Sequence, residues 1–346
     1  MTLKPLPTNL SRFGGCTLTG ALSVTTHVRD TVSIVHGPDG CSHHNFSLLH
    51  ATAMDNDHVT IPSLVSTGLA ERDIVFGGEE ALARTLVSVA DSGADAIFVL
   101  STCIVDTIGD DIRQVCTQDY GVPVIPIPTA GFLGGTFQNG VNNALIALAD
   151  LAEPASPGAG VNIVGEMNLE FEVESNYHEI ERILSNLGIP VMCRFIHDLP
   201  FEEIQSLGAA RVNILRHPAL VPVGEYLRER FGIPFIPSFP LGFSSTLSFV
   251  NTVADAYGVD GSDAVDQEQQ LQEKIIRDFG DFAGSAASFD DTVTDTEELR
   301  AAGETARALR LTVGDPGSGI RLPVPPAVGT SGIRRMLHRW RRSLHA

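Results

Sequence analysis

The sequence lacks several features that would point to particular classes of protein. It has no run of about 18 consecutive apolar residues, so it predicts no membrane-spanning helix. Its first ten residues, MTLKPLPTNL, contain no apolar core of a secretory signal peptide, and we therefore expect a cytoplasmic protein. The pattern G-x-x-x-x-G-K followed by Ser or Thr is also missing, which argues against a phosphate-binding loop of that kind.

Basic residues are scarce, and lysine most of all, with only Lys4 and Lys274 in 346 residues. Lys and Arg number 23 against 42 Asp and Glu, so the formal net charge is −19. Because contacts to phosphates need clustered basic side chains, this balance argues against nucleic-acid binding. A GC-rich genome and adaptation to a salty cytoplasm would both explain the composition, which bears on solubility and not on the fold.

Cysteine is rare as well. The five cysteines are too few, and odd in number, for a disulfide framework in a chain of this length. No pair has the C-x-x-C spacing of a zinc ribbon. Metal ligation, catalysis and simple burial remain as roles for Cys16, Cys41, Cys103, Cys116 and Cys193.

Apolar, β-rich segments alternate with helical patterns over most of the chain. Strands are predicted at 31–36, 95–100 and 122–127, and the prolines of the last one favour a position near a sheet edge. Helical spacing covers 79–91 and 106–120. This strand–helix–strand order is typical of an α/β protein with a parallel sheet.

A change of composition divides the chain. Residues 153–160 are small, rich in Pro and Gly and nearly uncharged, and a second α/β pattern follows them, which weakens from residue 259 onward. We therefore predict an N-terminal α/β domain over 1–157, a second Rossmann-like domain over 158–258 and a shortened, mostly helical region over 259–346. The basic tail 334–346 is expected to fray, with docking on the acidic body as the alternative.

Three of the cysteines lie in turns or at the ends of predicted strands. Cys16 follows two glycines, Cys41 follows a strand and a Gly-rich turn, and Cys103 follows the strand that ends at residue 100. Loops after the carboxyl ends of parallel strands gather at one sheet edge, so we expect these thiols to converge. Three soft ligands suit an iron–sulfur cluster with a fourth ligand from elsewhere. The alternative is burial as small apolar residues, which fits Cys116 and Cys193 better.

The motifs around these cysteines resemble a known family. FGGC at 13–16, VHGPDGC at 35–41 and STC at 101–103, with IGDDI at 108–112, are similar to the nitrogenase component 1 family. The resemblance extends over about residues 10–250, with GIPF at 232–235 and FPLG at 239–242 as further support. It implies a fold of repeated Rossmann-like parallel-sheet domains, here with a shortened or divergent third lobe.

The family resemblance also implies a cofactor and partners. In this family the three cysteines bind an iron–sulfur cluster between two homologous subunits, so Cys16, Cys41 and Cys103 are expected to bind a 4Fe–4S cluster. A homodimer or a paired homologous subunit would complete the interface. A separate partner similar to the nitrogenase iron protein would deliver the electrons, and ATP and Mg would be bound by that partner only.

Departures from the family motifs bear on the substrate. Nitrogenase needs a cofactor-binding cysteine in the second domain, and the corresponding stretch 212–217 has none. The short chain resembles the large component of the reductive cyclase that acts on a tetrapyrrole, nickel sirohydrochlorin a,c-diamide, in the synthesis of the methanogen nickel coenzyme. Alternatives are another nitrogenase-like reductase, a subunit like that of protochlorophyllide reductase, or a non-catalytic scaffold for a metal cofactor.

Several polar residues near the cysteine motifs have two interpretations each. His43 and His44 are candidates for proton donors, and Arg12 and Arg29 for contacts to substrate carboxylates, but each is also explained as a surface residue. His36 is expected to be structural. The acids that follow the third cysteine motif are best explained as helix caps: Asp106, Asp110 and Asp111.

Overall fold

The computed structural model describes residues 13–57, 61–132, 134–156, 158–290, 295–315 and 320–345. Its strands form parallel sheets of four, four and three strands, and one further pair. In chain order the strands are β1 Val28–Arg29, β2 Thr31–His36, β3 Leu64–Ser66, β4 Ala96–Ser101, β5 Val124–Ile127, β6 Val161–Val164, β7 Val191–Phe195, β8 Leu199–Pro200, β9 Val212–Leu215, β10 Phe235–Ile236, β11 Ala286–Phe289, β12 Thr312–Val313 and β13 Ile320–Leu322.

Helices connect and cover these strands. In chain order they are α1 Thr17–Thr25, α2 Asp39–Asp55, α3 Glu71–Phe76, α4 Glu79–Ala90, α5 Cys103–Ile108, α6 Ile112–Cys116, α7 Phe137–Ala149, α8 Val173–Asn186, α9 Val221–Phe231, α10 Phe243–Tyr257, α11 Ser262–Asp278, α12 Thr296–Ala308 and α13 Gly329–Leu344. None of the helices in the described segments is both long enough and apolar enough to cross a lipid bilayer.

The first sheet has the order β3-β2-β4-β5 with all strands parallel. Its central strands β2 and β4 are almost fully buried, which explains their nearly continuous apolar sequences. The three strands predicted here are confirmed, and β5 lies at the edge, as its prolines indicated. The helix predicted over 106–120 is two short helices, because Gly109 adopts φ +81° and ends α5.

The second sheet has the order β10-β9-β6-β7 and repeats the path of the first. In each sheet the chain runs from one central strand to the edge strand beside it. It then crosses to the other central strand and ends at the opposite edge strand. The central pairs are β2 with β4 and β6 with β9. Such reversals open a crevice at the carboxyl ends of the two central strands, where ligands bind in open α/β sheets.

The C-terminal region contains a sheet that the sequence did not predict. Strands β12, β11 and β13 pair in parallel and accompany three longer helices, α11, α12 and α13. These strands have only two to four residues, too few for a period-two pattern to stand out.

The basic tail folds as helix α13, so the expectation that it frays is wrong. The helix buries one face completely and presents its arginines on the other, where Arg335 and Arg339 bind Glu172. Its large buried side chains follow the i, i+3, i+4, i+7 spacing of an amphipathic helix. They are Ile333, Met336, Leu337 and Trp340.

Candidate metal centre

The first sheet places two of the predicted site cysteines side by side. His36 at the end of β2 pairs in register with Ser101 at the end of β4, so the segments that follow these strands start next to each other. A Cβ on Gly37 would lie 2.2 Å from Thr102 Oγ1, which shows how closely the two segments approach. Cys41 lies in the first turn of α2, and Cys103 is the first residue of α5.

Helix α1 brings the third cysteine to the same edge. Cys16 is the residue before α1, and its Sγ lies 3.6 Å from Thr19 Oγ1. The backbones of helices α1 and α7 are in close contact. A Cβ on Gly140 of α7 would lie only 1.9 Å from the carbonyl oxygen of Thr17 in α1. The two helices therefore cross at a distance that only glycine permits, and this crossing positions the start of α1.

The three thiols interact electrostatically. The pKa of Cys41 is raised from its ordinary value by burial, and further by the negative charges of Cys16 and Cys103 when these are thiolates. Because this repulsion weakens with distance, Cys16 and Cys103 each lie near Cys41. The Cys16 side chain is exposed and the other two are half-buried, so the group opens toward solvent. The structure thus brings together the three residues expected to converge, and their role as ligands stays a prediction.

A glycine lets the loop after β5 approach one of these thiols closely. A Cβ on Gly131, which lies in this loop, would stand 3.1 Å from Cys103 Sγ and 3.8 Å from Thr17 Oγ1. A side chain at this position would therefore crowd the Cys103 thiol. Sequence reasoning missed Gly131, although the glycines of AGFLGG at 130–135 directly after a predicted strand were a usable signal.

Buried hydroxyl groups without partners lie next to two of the cysteines. Within the described residues, neither Thr17 Oγ1 nor Thr102 Oγ1 has a hydrogen-bond partner, although both side chains are buried. Buried polar atoms are nearly always paired, so each of these hydroxyls has an unused hydrogen-bonding capacity beside a cysteine.

The donor set suits a multi-iron cluster better than a single ion. No three His, Cys, Asp or Glu side chains of the described residues are placed so that they could hold one metal ion together. In a cluster each cysteine binds a different iron, so the thiols need not meet at one point. A cationic centre would also relieve the repulsion among the three thiolates.

The neighbouring polar residues have structural roles or lie on the surface. His36 is fully buried between Thr67 Oγ1 at 3.0 Å and Asp110 Oδ2 at 3.1 Å, and burial lowers its pKa, so it is neutral at pH 7. Its predicted structural role fits this position. Asp106 accepts a hydrogen bond from Ser101.

The remaining candidates near the cysteines make few contacts. Asp111 caps α6, as expected for an acid at a helix start. His43, His44 and Arg29 are exposed, and Arg29 is 3.9 Å from Asp198. Arg12 lies outside the described residues.

The other two cysteines are core residues, as expected. Cys116 and Cys193 are buried, and burial raises the pKa of each thiol to about 12. A thiol with so high a pKa is protonated and inert at neutral pH.

The corresponding crevice of the second sheet contains charged residues instead of cysteines. Arg216, the first residue after β9, donates to both carboxylate oxygens of the buried Glu170. Next to this pair, burial and the charges of Glu170 and Asp295 raise the pKa of Glu298 to about 8, an effect that Arg216 partly opposes. Sequence reasoning missed this cluster, because its members come from three distant segments of the chain.

Comparisons with known proteins agree with this architecture. Residues 16–286 match the family model described as Nitrogenase component 1 type Oxidoreductase. The chain is 31% identical over 252 residues to the nitrogenase iron-molybdenum cofactor biosynthesis protein NifE of Clostridium pasteurianum, a match that covers 70% of this chain and 54% of that protein. It is 26% identical to the nitrogenase molybdenum-iron protein alpha chain of Methanothermobacter thermautotrophicus, a match that covers 64% of this chain and 51% of that protein.

Solved structures show the same fold. The structure described as Nitrogenase Cp1 at pH 6.5 superposes with a TM-score of 0.69 at 20% identity, over 90% of this chain and 62% of the other. The one described as Nitrogenase Cp1 at pH 5 gives a TM-score of 0.70 at 19% identity, over 96% and 72%. The chain spans about half the length of the curated relatives given above.

Proposed function

Because the chain belongs to the nitrogenase component 1 family, we propose that it binds an iron–sulfur cluster through Cys16, Cys41 and Cys103 and accepts electrons from a partner. The main support is the proximity of the three thiols at the carboxyl edge of the first sheet. When bound, a thiolate-ligated cluster supplies one-electron transfer at low potential. We propose the 4Fe–4S type.

The electron donor is proposed to be an ATP-dependent reductase like the nitrogenase iron protein. This chain lacks the lysine loop that binds nucleotide phosphates, so ATP and Mg would be bound by that partner. Because the Cys16 side chain is exposed, the cysteine group lies at a surface that a second protein can cover. A second copy of this chain, or a homologous subunit, would supply the fourth ligand there.

We propose a reductase role, and reductive cyclisation of nickel sirohydrochlorin a,c-diamide is its most specific form. One sequence feature favours it over a nitrogenase role. The segment after β9, which begins with Arg216 and His217, has no cysteine to bind a large metal cofactor. Arg216 is instead held by Glu170 in a buried ion pair.

A scaffold for metal-cofactor assembly is the second candidate function. One observation favours it, since relatives at 31% identity from Clostridium pasteurianum and Bradyrhizobium diazoefficiens are named nitrogenase iron-molybdenum cofactor biosynthesis protein NifE. In this role the chain would bind a cofactor or its precursor and release it without reducing a small substrate. Both candidates require the same cysteine-bound cluster, so cluster analysis alone does not separate them.

A turnover experiment separates the two candidates. The protein, isolated without oxygen and with its iron quantified, is mixed with the iron-protein partner, MgATP, reductant and nickel sirohydrochlorin a,c-diamide. The reductase proposal predicts ATP-dependent reduction of the bound iron and loss of the tetrapyrrole absorbance. Reduction without consumption of the tetrapyrrole, together with tight binding of a metal cofactor, would favour the scaffold. Iron-loaded protein that accepts no electrons from the partner would contradict the proposed function.

A further inference from the structure

Two buried hydroxyl groups lie in the first turn of α1, directly after Cys16. Thr17 and Thr19 are 1% and 2% exposed. Thr19 Oγ1 is 3.6 Å from Cys16 Sγ, while Thr17 Oγ1 has no hydrogen-bond partner among the described residues. Since buried hydroxyls are almost always paired, Thr17 retains an unused donor in the interior.

The unpaired hydroxyl of Thr17 and the thiol of Cys103 lie near the same glycine. The position of a Cβ on Gly131 lies within 4 Å of two atoms, 3.1 Å from Cys103 Sγ and 3.8 Å from Thr17 Oγ1. Gly135 is on the same side, and a Cβ on it would lie 2.3 Å from Thr17 Oγ1. The two glycines let the backbone of the loop after β5 approach Thr17 closely, so the hydroxyl of Thr17 faces the same loop that borders Cys103.

The position of these threonines in the helix explains why the backbone does not use their hydroxyls. A helical Ser or Thr commonly donates to a carbonyl three or four residues earlier, as Ser23 does to Gly20 and Thr26 to Leu22. Thr17 and Thr19 lie in the first turn, where no complete helical turn precedes them. Their hydroxyls therefore remain available to a partner outside the helix.

We propose that the hydroxyls of Thr17 and Thr19 donate hydrogen bonds to sulfur atoms of the bound cluster and thereby raise its reduction potential. A ligating Cys16 has no proton, so Thr19 must be the donor in that contact. Hydrogen bonds to sulfur stabilise the additional negative charge of the reduced state. The inference rests on the proposed function and adds to it the residues that tune electron transfer.

Valine variants test the inference, because valine keeps the shape of threonine and removes its hydroxyl. Thr17→Val and Thr19→Val are purified without oxygen, their iron is quantified, and their midpoint potentials are measured by titration followed by electron paramagnetic resonance. Each variant is expected to keep its iron and to have a more negative midpoint potential than the wild type. The double variant is expected to show the larger shift.

Two controls separate a lost hydrogen bond from disturbed packing. Thr25→Val removes a fully buried hydroxyl at the other end of α1, where it accepts from Ser33, and should leave the potential unchanged. Thr17→Ser keeps the hydroxyl and should retain the wild-type potential. Iron-loaded Thr17→Val and Thr19→Val with the wild-type potential, or equal shifts in Thr17→Ser and Thr17→Val, would overturn the inference. Wild-type protein without iron would instead contradict the proposed function.

Discussion

Glu298 is an ionisable residue whose environment opposes its charge. It lies on α12 close to the buried pair of Glu170 and Arg216, and burial raises its pKa from 4.5 to about 8. At neutral pH the Glu298 carboxyl group is therefore mostly protonated. Ionising it in the folded state costs free energy, because it must become charged beside Glu170 and Asp295.

Replacing Glu298 with glutamine should change how stability depends on pH. Between pH 4.5 and about 8 the folded wild type holds a proton that the unfolded chain has lost, so its unfolding free energy falls as pH rises through this window. Glu298→Gln removes this dependence. The unfolding free energy of the variant minus that of the wild type should therefore increase by at most about 1.4 kcal/mol per pH unit in this window, and it should level off above pH 8. Urea unfolding at several pH values measures the difference, and a pH-independent difference would contradict the assignment.

The sequence separated the two buried cysteines from the three that are exposed or half-buried, because local surroundings reveal which cysteines lie inside regular elements. Cys116 and Cys193 lie within predicted elements and are buried in the fold. Thr17 could not be recognised in the same way. Its importance depends on the loop after β5 meeting the start of α1, a contact between segments more than a hundred residues apart.

The C-terminal helix α13 covers the third sheet and the helices beside it. Trp340 is completely buried, its indole Nε1 donates to the carbonyl oxygen of Pro323 at 2.7 Å, and its ring lies 5.8 Å from that of Phe289. Burial of this large side chain, together with the ion pairs from Arg335 and Arg339 to Glu172, explains why a strongly basic segment is ordered.

Truncation of the buried tryptophan should therefore destabilise the protein. Trp340→Ala is expected to lower the unfolding free energy by about 3–5 kcal/mol, because it leaves a large cavity and an unpaired carbonyl group. Arg342→Ala, an exposed position on the same helix, should change it by less than about 0.5 kcal/mol. Chemical denaturation of both variants checks this prediction, and equal stability of the two would show that the helix does not pack as described.

Element length decided what the sequence could predict. The six-residue strands β2 and β4, and the long helices between strands, were recognisable from apolar pattern alone. The strands of the third sheet were missed, because two to four residues provide too little pattern. The expectation that the tail frays is wrong because the tail has helical periodicity as well as charge. Trp340 and Met336 are four residues apart and therefore lie on one face of the helix.

At the scale of the whole molecule, the two four-stranded sheets share one strand order but differ at their carboxyl edges. Cysteines gather at the first edge, whereas the second has the buried pair of Arg216 and Glu170. The domain limits 1–157, 158–258 and 259–346 stay predictions, as do the substrate and the subunit arrangement.

The central claim is that Cys16, Cys41 and Cys103 bind iron together. The measurement that tests it most directly is the iron and acid-labile sulfide content of protein purified without oxygen, compared for the wild type, Cys41→Ala and the buried-cysteine control Cys116→Ala. We predict iron and sulfide in the wild type and in Cys116→Ala, and their loss in a folded Cys41→Ala. Full iron content in Cys41→Ala, or a wild-type protein free of iron, would contradict the claim.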